Sequence, residues 1–468
     1  MITSLHESLI KKEFSCVELA KKYLESIKKS ELNAYITVTE DIAIESAKRT
    51  DYKIKNSCDI GMVEGIPMSL KDVISTKGIR TTCGSKMLAN YEPIYDASCW
   101  EFLKELGVIL LGKTNQDEFA MGSSNETSFF GPVKNPYNLA KVPGGSSGGS
   151  AASVAGNLAV FSIGSDTGGS VRQPSSFCGV VGLKPTYGAI SRYGLIPLAC
   201  SLDQIGIISQ NAEDASIIFD IISRHDRKDA TSSDLPRAKT FESLKKDVKG
   251  IRIGVPKNCF EGCDEEIKSA ISKAIEVYES LGAKFDYFEF QELDLTMPVY
   301  YIICCAEASS NLGRFDGIRY GFRAEKFESV NDFIAKTRSE GFGDEVKRRI
   351  LLGTYVLSSS YRDSFYNKAQ EIRRIIKNSF NKKFEKYDLI LTPTTPTTAF
   401  DFDYAHEDPV KMYLADVCTV PANIAGIPAI SIPCGFSSNN LPIGMQLMAP
   451  HWHEDLLLNM TYKYETAS

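Results

Sequence analysis

Apolar positions recur at helical spacing near the start of the chain, at Leu19, Ala20, Tyr23, Leu24 and Ile27. Two serine and glutamate pairs three residues apart, Ser4 with Glu7 and Ser15 with Glu18, read as capping boxes that open helices. A helical N-terminal segment is therefore expected over about residues 1–60. Beyond it the pattern changes. Short continuous apolar runs at 32–38, 108–111, 158–163, 251–255, 389–391 and 429–432 alternate with helical stretches. Runs without polar alternation mark strands buried on both faces, so the predicted fold class is α/β, a large mixed sheet covered by helices on both faces. The stretch 224–250 is polar, has no apolar period and carries two charge clusters, which predicts a connection on the surface. It reads as an internal seam more than a domain boundary, and 1–468 is expected to form a single domain.

Charge narrows the possible roles. The 53 basic and 59 acidic residues leave a net −6, so the chain as a whole lacks the basic excess that neutralises phosphate backbones. Any nucleic acid it serves is expected to be held mainly by a partner. The N-terminus carries His6 and Glu7 and no apolar signal core, and no run reaches the roughly 18 apolar residues of a membrane helix. A cytoplasmic protein without membrane contact is expected. Twelve cysteines are scattered without a framework and read as reduced thiols. Cys259 with Cys263, and His451 with His453, each lack the second pair that a tetrahedral zinc site needs, so no metal is predicted.

One motif has to be set aside before the informative one. Residues 107–114, GVILLGKT, satisfy the phosphate-loop pattern letter for letter. A phosphate cradle needs small residues whose N–H groups converge on an anion, whereas Val108-Ile109-Leu110-Leu111 reads as a buried strand. The informative stretch is 144–170, GGSSGGSAASVAGNLAVFSIGSDTGGS, with eight glycines and seven serines. Its apolar middle would not sit in solvent, which argues against a flexible linker. The expected layout is a tight glycine loop, a helix of small residues, a buried strand and a second glycine turn at Asp166-Thr167-Gly168-Gly169-Ser170. Glycine lets the backbone approach a substrate and turns N–H groups toward one point, as an oxyanion requires. Acyl transfer is the leading chemistry.

The base is harder to place. Residues 144–148 also fit the nucleophile elbow G-x-S-x-G, which calls for a histidine later in the chain. His6 is near the start, His225 in the polar connection, His406 among acids, and His451 and His453 follow the last strand. A buried lysine can serve instead if desolvation lowers its pKa. Lys71 stands in the apolar, strand-like run GIPMSLKDVI at 65–74. Spacing alone leaves two readings open for it, a buried base or an edge lysine paired with Asp72.

GIPMSLKD, GGSSGGSAA and GSDTGGSVRQPSSFCGVVGLKPTYG, in that order, resemble the amidase signature family, whose catalytic set is Ser, cis-Ser and Lys. The resemblance implies the amidase signature fold, with Ser170 as nucleophile, Ser146 as the cis-peptide serine, Lys71 as base, and the N–H groups of Thr167, Gly168, Gly169 and Ser170 around the oxyanion. Later blocks, RYGLI at 192–196, SLDQIG at 201–206, RFDGIRYG at 314–321, EVKRRI at 345–350 and TPTTP at 392–396, are similar to one branch of that family. That branch comprises the glutamine-hydrolysing subunits of tRNA-dependent amidotransferases. By this resemblance Asp416 takes the α-ammonium of glutamine, Arg349 in preference to Arg348 takes the α-carboxylate, and Tyr300 and Ser147 join the substrate site. It further implies a heterotrimer with B and C subunits, Glu-tRNA(Gln) held mainly through the partner, and ATP and Mg at the partner with no cofactor in this chain. Pro197, Cys200 and Ile207 stand where the branch would have other residues. A stand-alone amidase acting on another amide is the competing expectation.

Overall fold

The computed structural model describes residues 1–404 and 409–468, so His406 lies outside the described residues. Within them, eleven strands form one sheet: β1 (Tyr35–Val38), β2 (Pro67–Lys71), β3 (Ile109–Thr114), β4 (Phe161–Asp166), β5 (Val181–Lys184), β6 (Gln204–Ser209), β7 (Arg252–Pro256), β8 (Lys284–Phe288), β9 (Leu389–Pro393), β10 (Ala429–Phe436) and β11 (Pro442–Met448). Their order across the sheet is β1-β3-β2-β4-β6-β5-β10-β11-β9-β7-β8. β2 runs parallel to both β3 and β4, the strands from β4 to β9 pair antiparallel, and β7 is again parallel to β9 and β8. This is the mixed sheet the apolar runs predict. Most interior strands are buried along their whole length, which requires cover on both faces, while the edge strand β8 exposes Lys284, Asp286 and Tyr287.

Four strands, β5, β6, β8 and β11, fall outside the predicted runs. Glycine interrupts three of them for a packing reason: a Cβ on Gly182 would lie 2.4 Å from Ser175 Oγ, one on Gly206 2.7 Å from the Leu183 carbonyl, and one on Gly444 2.5 Å from Ser176 Oγ. Residues 107–114 end in β3, where Lys113 is buried and donates to the Ile74 carbonyl (2.6 Å) and Thr81 Oγ1 (2.8 Å). No phosphate cradle is present there. The stretch 224–250 is mostly exposed and holds one short helix, Thr240–Ser243, and it carries the chain from the middle of the sheet to β7. The hydroxyls of Ser98 and Ser191 pin it by donating to Asp226 Oδ2, each at 2.6 Å.

The two expected capping boxes part company. Ser15 caps the helix Cys16–Lys29: its Oγ accepts from the Glu18 N–H (3.1 Å), and the Glu18 carboxylate accepts from the Ser15 N–H (2.8 Å). Ser4 instead lies inside the helix Ile2–Ile10. That helix is capped through space, by Asp214 Oδ1 accepting from the Ile2 N–H at 2.8 Å.

Because β2 and β4 are parallel neighbours, their C-terminal ends bring Lys71 and Asp166 to one edge of the sheet. Across this edge lies the small-residue helix Gly148–Ala155, anchored by hydroxyl pairs Ser69–Ser153 (2.9 Å) and Thr114–Ser150 (2.7 Å). A Cβ on Gly149 would come within 2.3 Å of the Asn115 carbonyl, so this helix can approach the sheet only through small residues. Ser15→Ala should lower unfolding stability by about 1 kcal/mol through loss of the cap. Ser4→Ala should leave stability unchanged or slightly raised, as denaturant midpoints of the two variants will show.

Candidate active site

Lys71 is the last residue of β2 and is fully buried. Its Nζ donates to Ser146 Oγ (2.7 Å) and Ser165 Oγ (3.0 Å). The reading of Lys71 as an edge lysine paired with Asp72 is overturned. Asp72 points to the opposite side, where Thr82 donates its N–H to Oδ2 (2.7 Å) and Lys113 lies 3.9 Å from Oδ1. Burial pulls the Lys71 ammonium down to about 7 from its ordinary 10.5, against the opposing pull of Asp117, Asp166 and Asp203. A neutral amine touching a serine hydroxyl can accept its proton.

The two glycine turns meet. The Gly145–Ser146 peptide bond is cis. The Ser147 N–H donates to the Ser170 carbonyl at 3.1 Å, and Gln173 Oε1 accepts from the Gly145 N–H at 2.9 Å. Burial raises the pKa of Asp166, but the Arg172 guanidinium overrides it and holds the carboxyl at about 2, through bonds of 2.9 and 3.1 Å that clamp the ends of the 167–171 turn. Within that turn no acceptor among the described residues takes the N–H of Thr167, Gly168, Gly169 or Ser170, and the Ser170 hydroxyl has no hydrogen-bond partner among them. Four unspent amides and a free hydroxyl on one turn are what an oxyanion site and a nucleophile require. Glycine is obligatory at both positions 168 and 169. A Cβ on Gly168 would lie 2.6 Å from the Tyr300 ring, and one on Gly169, at φ +142°, would lie 2.1 Å from Thr419 Oγ1.

The predicted substrate residues do not share one fate. Tyr300 is buried with its ring tip against Gly168. Asp416 is buried beside Gly169; its Oδ2 accepts from Ser123 Oγ (2.5 Å) while Oδ1 has no partner among the described residues. Burial raises this carboxyl to about 7 even though Ser123 bonds to it. Arg349 lies in the helix Asp344–Leu357, buried, with Nε donating to Glu345 Oε1 (2.8 Å) and its guanidinium 5.5 Å from the centre of the Tyr301 ring. Arg348 is exposed and pairs with the other oxygen of Glu345. Ser147 faces away from the turn. Its Oγ donates to the Ser165 carbonyl (3.1 Å), so the structure uses it to hold β4 and the first glycine loop together.

With this geometry in view, the relatives are informative. A family model described as Amidase matches residues 18–458. The A subunit of the glutamyl-tRNA(Gln) amidotransferase from Thermoanaerobacter pseudethanolicus is 53% identical over 470 residues, spanning 100% of this chain and 96% of the relative. The crystal structure of the corresponding A subunit from Thermotoga maritima is similar with a TM-score of 0.81 at 41% identity, over 98% of this chain and 92% of the other. The peptide amidase from Stenotrophomonas maltophilia reaches a TM-score of 0.84 at 27% identity, over 99% and 96%. The chain belongs to the amidase family.

In this amidase several residues near the turn carry no motif of their own. Asp203 Oδ1 accepts from Thr167 Oγ1 at 2.7 Å, and Thr419 Oγ1 donates to the Gly168 carbonyl at 2.7 Å. Asp203 is the single charged residue of the block 201–206, and that charge is the available signal. Ser123 and Thr419 carry none. On the far side of Asp203 a cavity of about 420 Å³ is lined by Tyr193, Ile196, Arg314 and Phe315, so the blocks 192–196 and 314–321 converge there. Pro197 and Cys200 line the same cavity, and Ile207 is buried in β6. All twelve cysteines are free thiols, and among the described residues no cluster of His, Cys, Asp or Glu is placed to hold a metal. Nor is any helix there long and apolar enough to cross a membrane.

Amide hydrolysis should rise with pH through about 7, as Lys71 loses its proton, and then level off. Lys71→Arg, which cannot deprotonate, should be as inactive as Lys71→Ala while keeping the same melting temperature to within a few degrees. A pH–rate profile of the native chain beside single-pH assays of both variants is the measurement.

Proposed function

We propose that this amidase is the glutamine-hydrolysing subunit of a glutamyl-tRNA(Gln) amidotransferase. The observation that carries the reading is the placement of Asp416. Its unpartnered, buried Oδ1 lies against the same glycine turn that presents Ser170, where a substrate ammonium would satisfy it. The full-length likeness to chains named as the A subunit of that enzyme supports the same reading.

In this mechanism neutral Lys71 takes the Ser146 hydroxyl proton while Ser146 takes the proton of Ser170. Ser170 Oγ attacks the side-chain amide carbon of glutamine. The N–H groups of Thr167, Gly168, Gly169 and Ser170 receive the oxyanion, at about 3 kcal/mol per donor in comparable sites. The proton returns through Ser146 to the departing nitrogen as the C–N bond breaks, and ammonia leaves. Water, deprotonated by the same pair, then splits the Ser170 ester to release glutamate. Asp416 holds the α-ammonium. Arg349, whose Nε is committed to Glu345, offers its terminal nitrogens to the α-carboxylate. Tyr300 closes the pocket over Gly168. The ammonia passes to a partner from the B and C pair, which binds ATP and Mg, activates Glu-tRNA(Gln) and supplies most of the tRNA contact in the cytoplasm. The competing reading, a stand-alone amidase, shares the chemistry and dispenses with the partners.

Asp416→Asn should raise KM for glutamine at least tenfold and barely change hydrolysis of a simple amide without an amino group. The native enzyme should show the same rise in KM as pH falls below about 7, where Asp416 takes a proton. Glutamine hydrolysis should be slow for the lone chain and fast with the purified B and C partners and Glu-tRNA(Gln). Full activity without them, or activity on simple amides exceeding that on glutamine, would establish the stand-alone amidase instead.

A further inference from the structure

The segment that leaves β3 touches three parts of the candidate site in turn. The Asp117 N–H donates to the carbonyl of Ser146, the cis-peptide serine, at 3.4 Å. Six residues on, the Ser123 hydroxyl donates to Asp416. Between them Glu118 reaches the helix Asp344–Leu357, which carries Arg349. Glu118 Oε2 accepts from the Gly343 N–H at 2.8 Å, and the Ser85 hydroxyl donates to Oε1. Gly343 is the residue from which that helix starts, and it has no side chain to cap it. Glu118 supplies the cap through space, as Asp214 does for the first helix.

Glu118 is an expensive residue to bury there. It is 4% exposed, and no cation pairs with it among the described residues; Lys347, one turn along the helix, is spent on Asp344 (2.8 Å). Burial raises its carboxyl to about 7, against the lowering by its bonds to Ser85 and Gly343. A carboxylate accepts at both oxygens, and the helix N-terminus offsets part of its charge. The approach is close: a Cβ on Gly343 would lie 2.4 Å from Oε2. The next residue, Phe119, packs its ring edge-on against Phe342 with centres 5.7 Å apart, so residues 118–119 grip 342–343 as a pair. The helix is fixed a second time further along. A Cβ on Gly353 would lie 1.9 Å from the Cys305 carbonyl, so the backbone there lies against the helix Thr296–Asn311, which carries Tyr300. Arg349 stands between the two fixings, about 9 Å along the axis from Gly343 and about 6 Å from Gly353. Held only at Gly353, the first turns of the helix would be free to swing and would take Arg349 with them. Held at both, the guanidinium keeps one place relative to Ser146 and Asp416.

We propose that Glu118 is a positioning residue for substrate recognition: by holding the start of the helix Asp344–Leu357 it sets the reach of Arg349 toward the α-carboxylate of glutamine. This rests on the reading of Arg349 and glutamine given above. Glu118 acts through Arg349 and touches none of the reacting atoms. What it contributes is an acceptor oxygen for the Gly343 N–H, so a glutamine side chain at position 118 should do most of the same work.

The test is steady-state ammonia release by the full chain with its purified B and C partners, at about pH 8, above the range in which Lys71, Glu118 and Asp416 titrate. Two substrates are compared: L-glutamine, and 4-aminobutanamide, which keeps the ammonium and lacks the α-carboxylate. E118A should raise KM for glutamine about tenfold with kcat within twofold, and should leave kcat/KM for 4-aminobutanamide within twofold. E118Q should bring KM for glutamine back to within about twofold of the native value. In the R349A background E118A should add less than twofold, because the group it positions is gone. The proposal is overturned if E118A leaves KM for glutamine within twofold, if it impairs both substrates equally, if E118Q is as impaired as E118A, or if the losses in E118A and R349A multiply. If R349A raises KM and E118A does not, Glu118 alone is refuted. If R349A itself leaves KM for glutamine unchanged, the reading of Arg349 fails and the role of Glu118 falls with it.

Discussion

The buried pairing of Asp166 with Arg172 is the constraint on which this site rests. Removing two charges from water costs several kcal/mol each unless every donor and acceptor is satisfied. Here Arg172 spends its guanidinium on both Asp166 oxygens, the Thr419 carbonyl (2.8 Å), Gln446 Oε1 (2.6 Å) and Asn423 Oδ1 (2.5 Å). One side chain thereby joins β4, the helix it begins, the helix Val420–Ala425 and β11. The five residues between the two charges are held at both ends, and these include the glycines and Ser170. Preorganised amides cost no rearrangement as charge develops on a substrate oxygen, which is where most of the value of such a site lies.

The same crowding explains how Lys71 is kept able to lose a proton among three buried carboxylates. Each of those carboxylates is committed elsewhere: Asp117 to the Asn125 and Thr127 backbone, Asp166 to Arg172, and Asp203 to Thr167, Leu198 and Ala199. None lies within ion-pair distance of Lys71 Nζ, whose direct partners are serines. Desolvation therefore outweighs attraction. A single carboxylate turned toward Nζ would reverse that balance and fix the lysine as a cation.

Much of this was legible in the chain, for identifiable reasons. Continuous apolar runs announced buried strands because strands covered on both faces cannot alternate. Glycine and serine repeated between 144 and 170 announced two close turns around a buried strand, because no linker would carry Val160-Phe161 into solvent. The Ser15 box was legible because its partner is three residues away. Strands β6 and β11 were not, since their glycines answer to neighbours distant in sequence, Leu183 and Ser176. The cap of the first helix was illegible for the same reason, being supplied by Asp214.

By itself, then, the sequence determined the residue types that chemistry needs and the local turns that present them, because those depend on backbone sterics and near neighbours. It carried the α/β class and the family, and it singled out Lys71, Ser146 and Ser170 as a candidate set. Only the tertiary structure decided what surrounds each group. It placed Lys71 beside Ser146 and away from Asp72, left Asp416 with one oxygen unpartnered among the described residues beside Gly169, and spent Ser147 on β4. Burial and partnership set protonation state and unmet hydrogen-bonding capacity, and both arise from contacts between residues 18 to 293 positions apart, which no local pattern encodes.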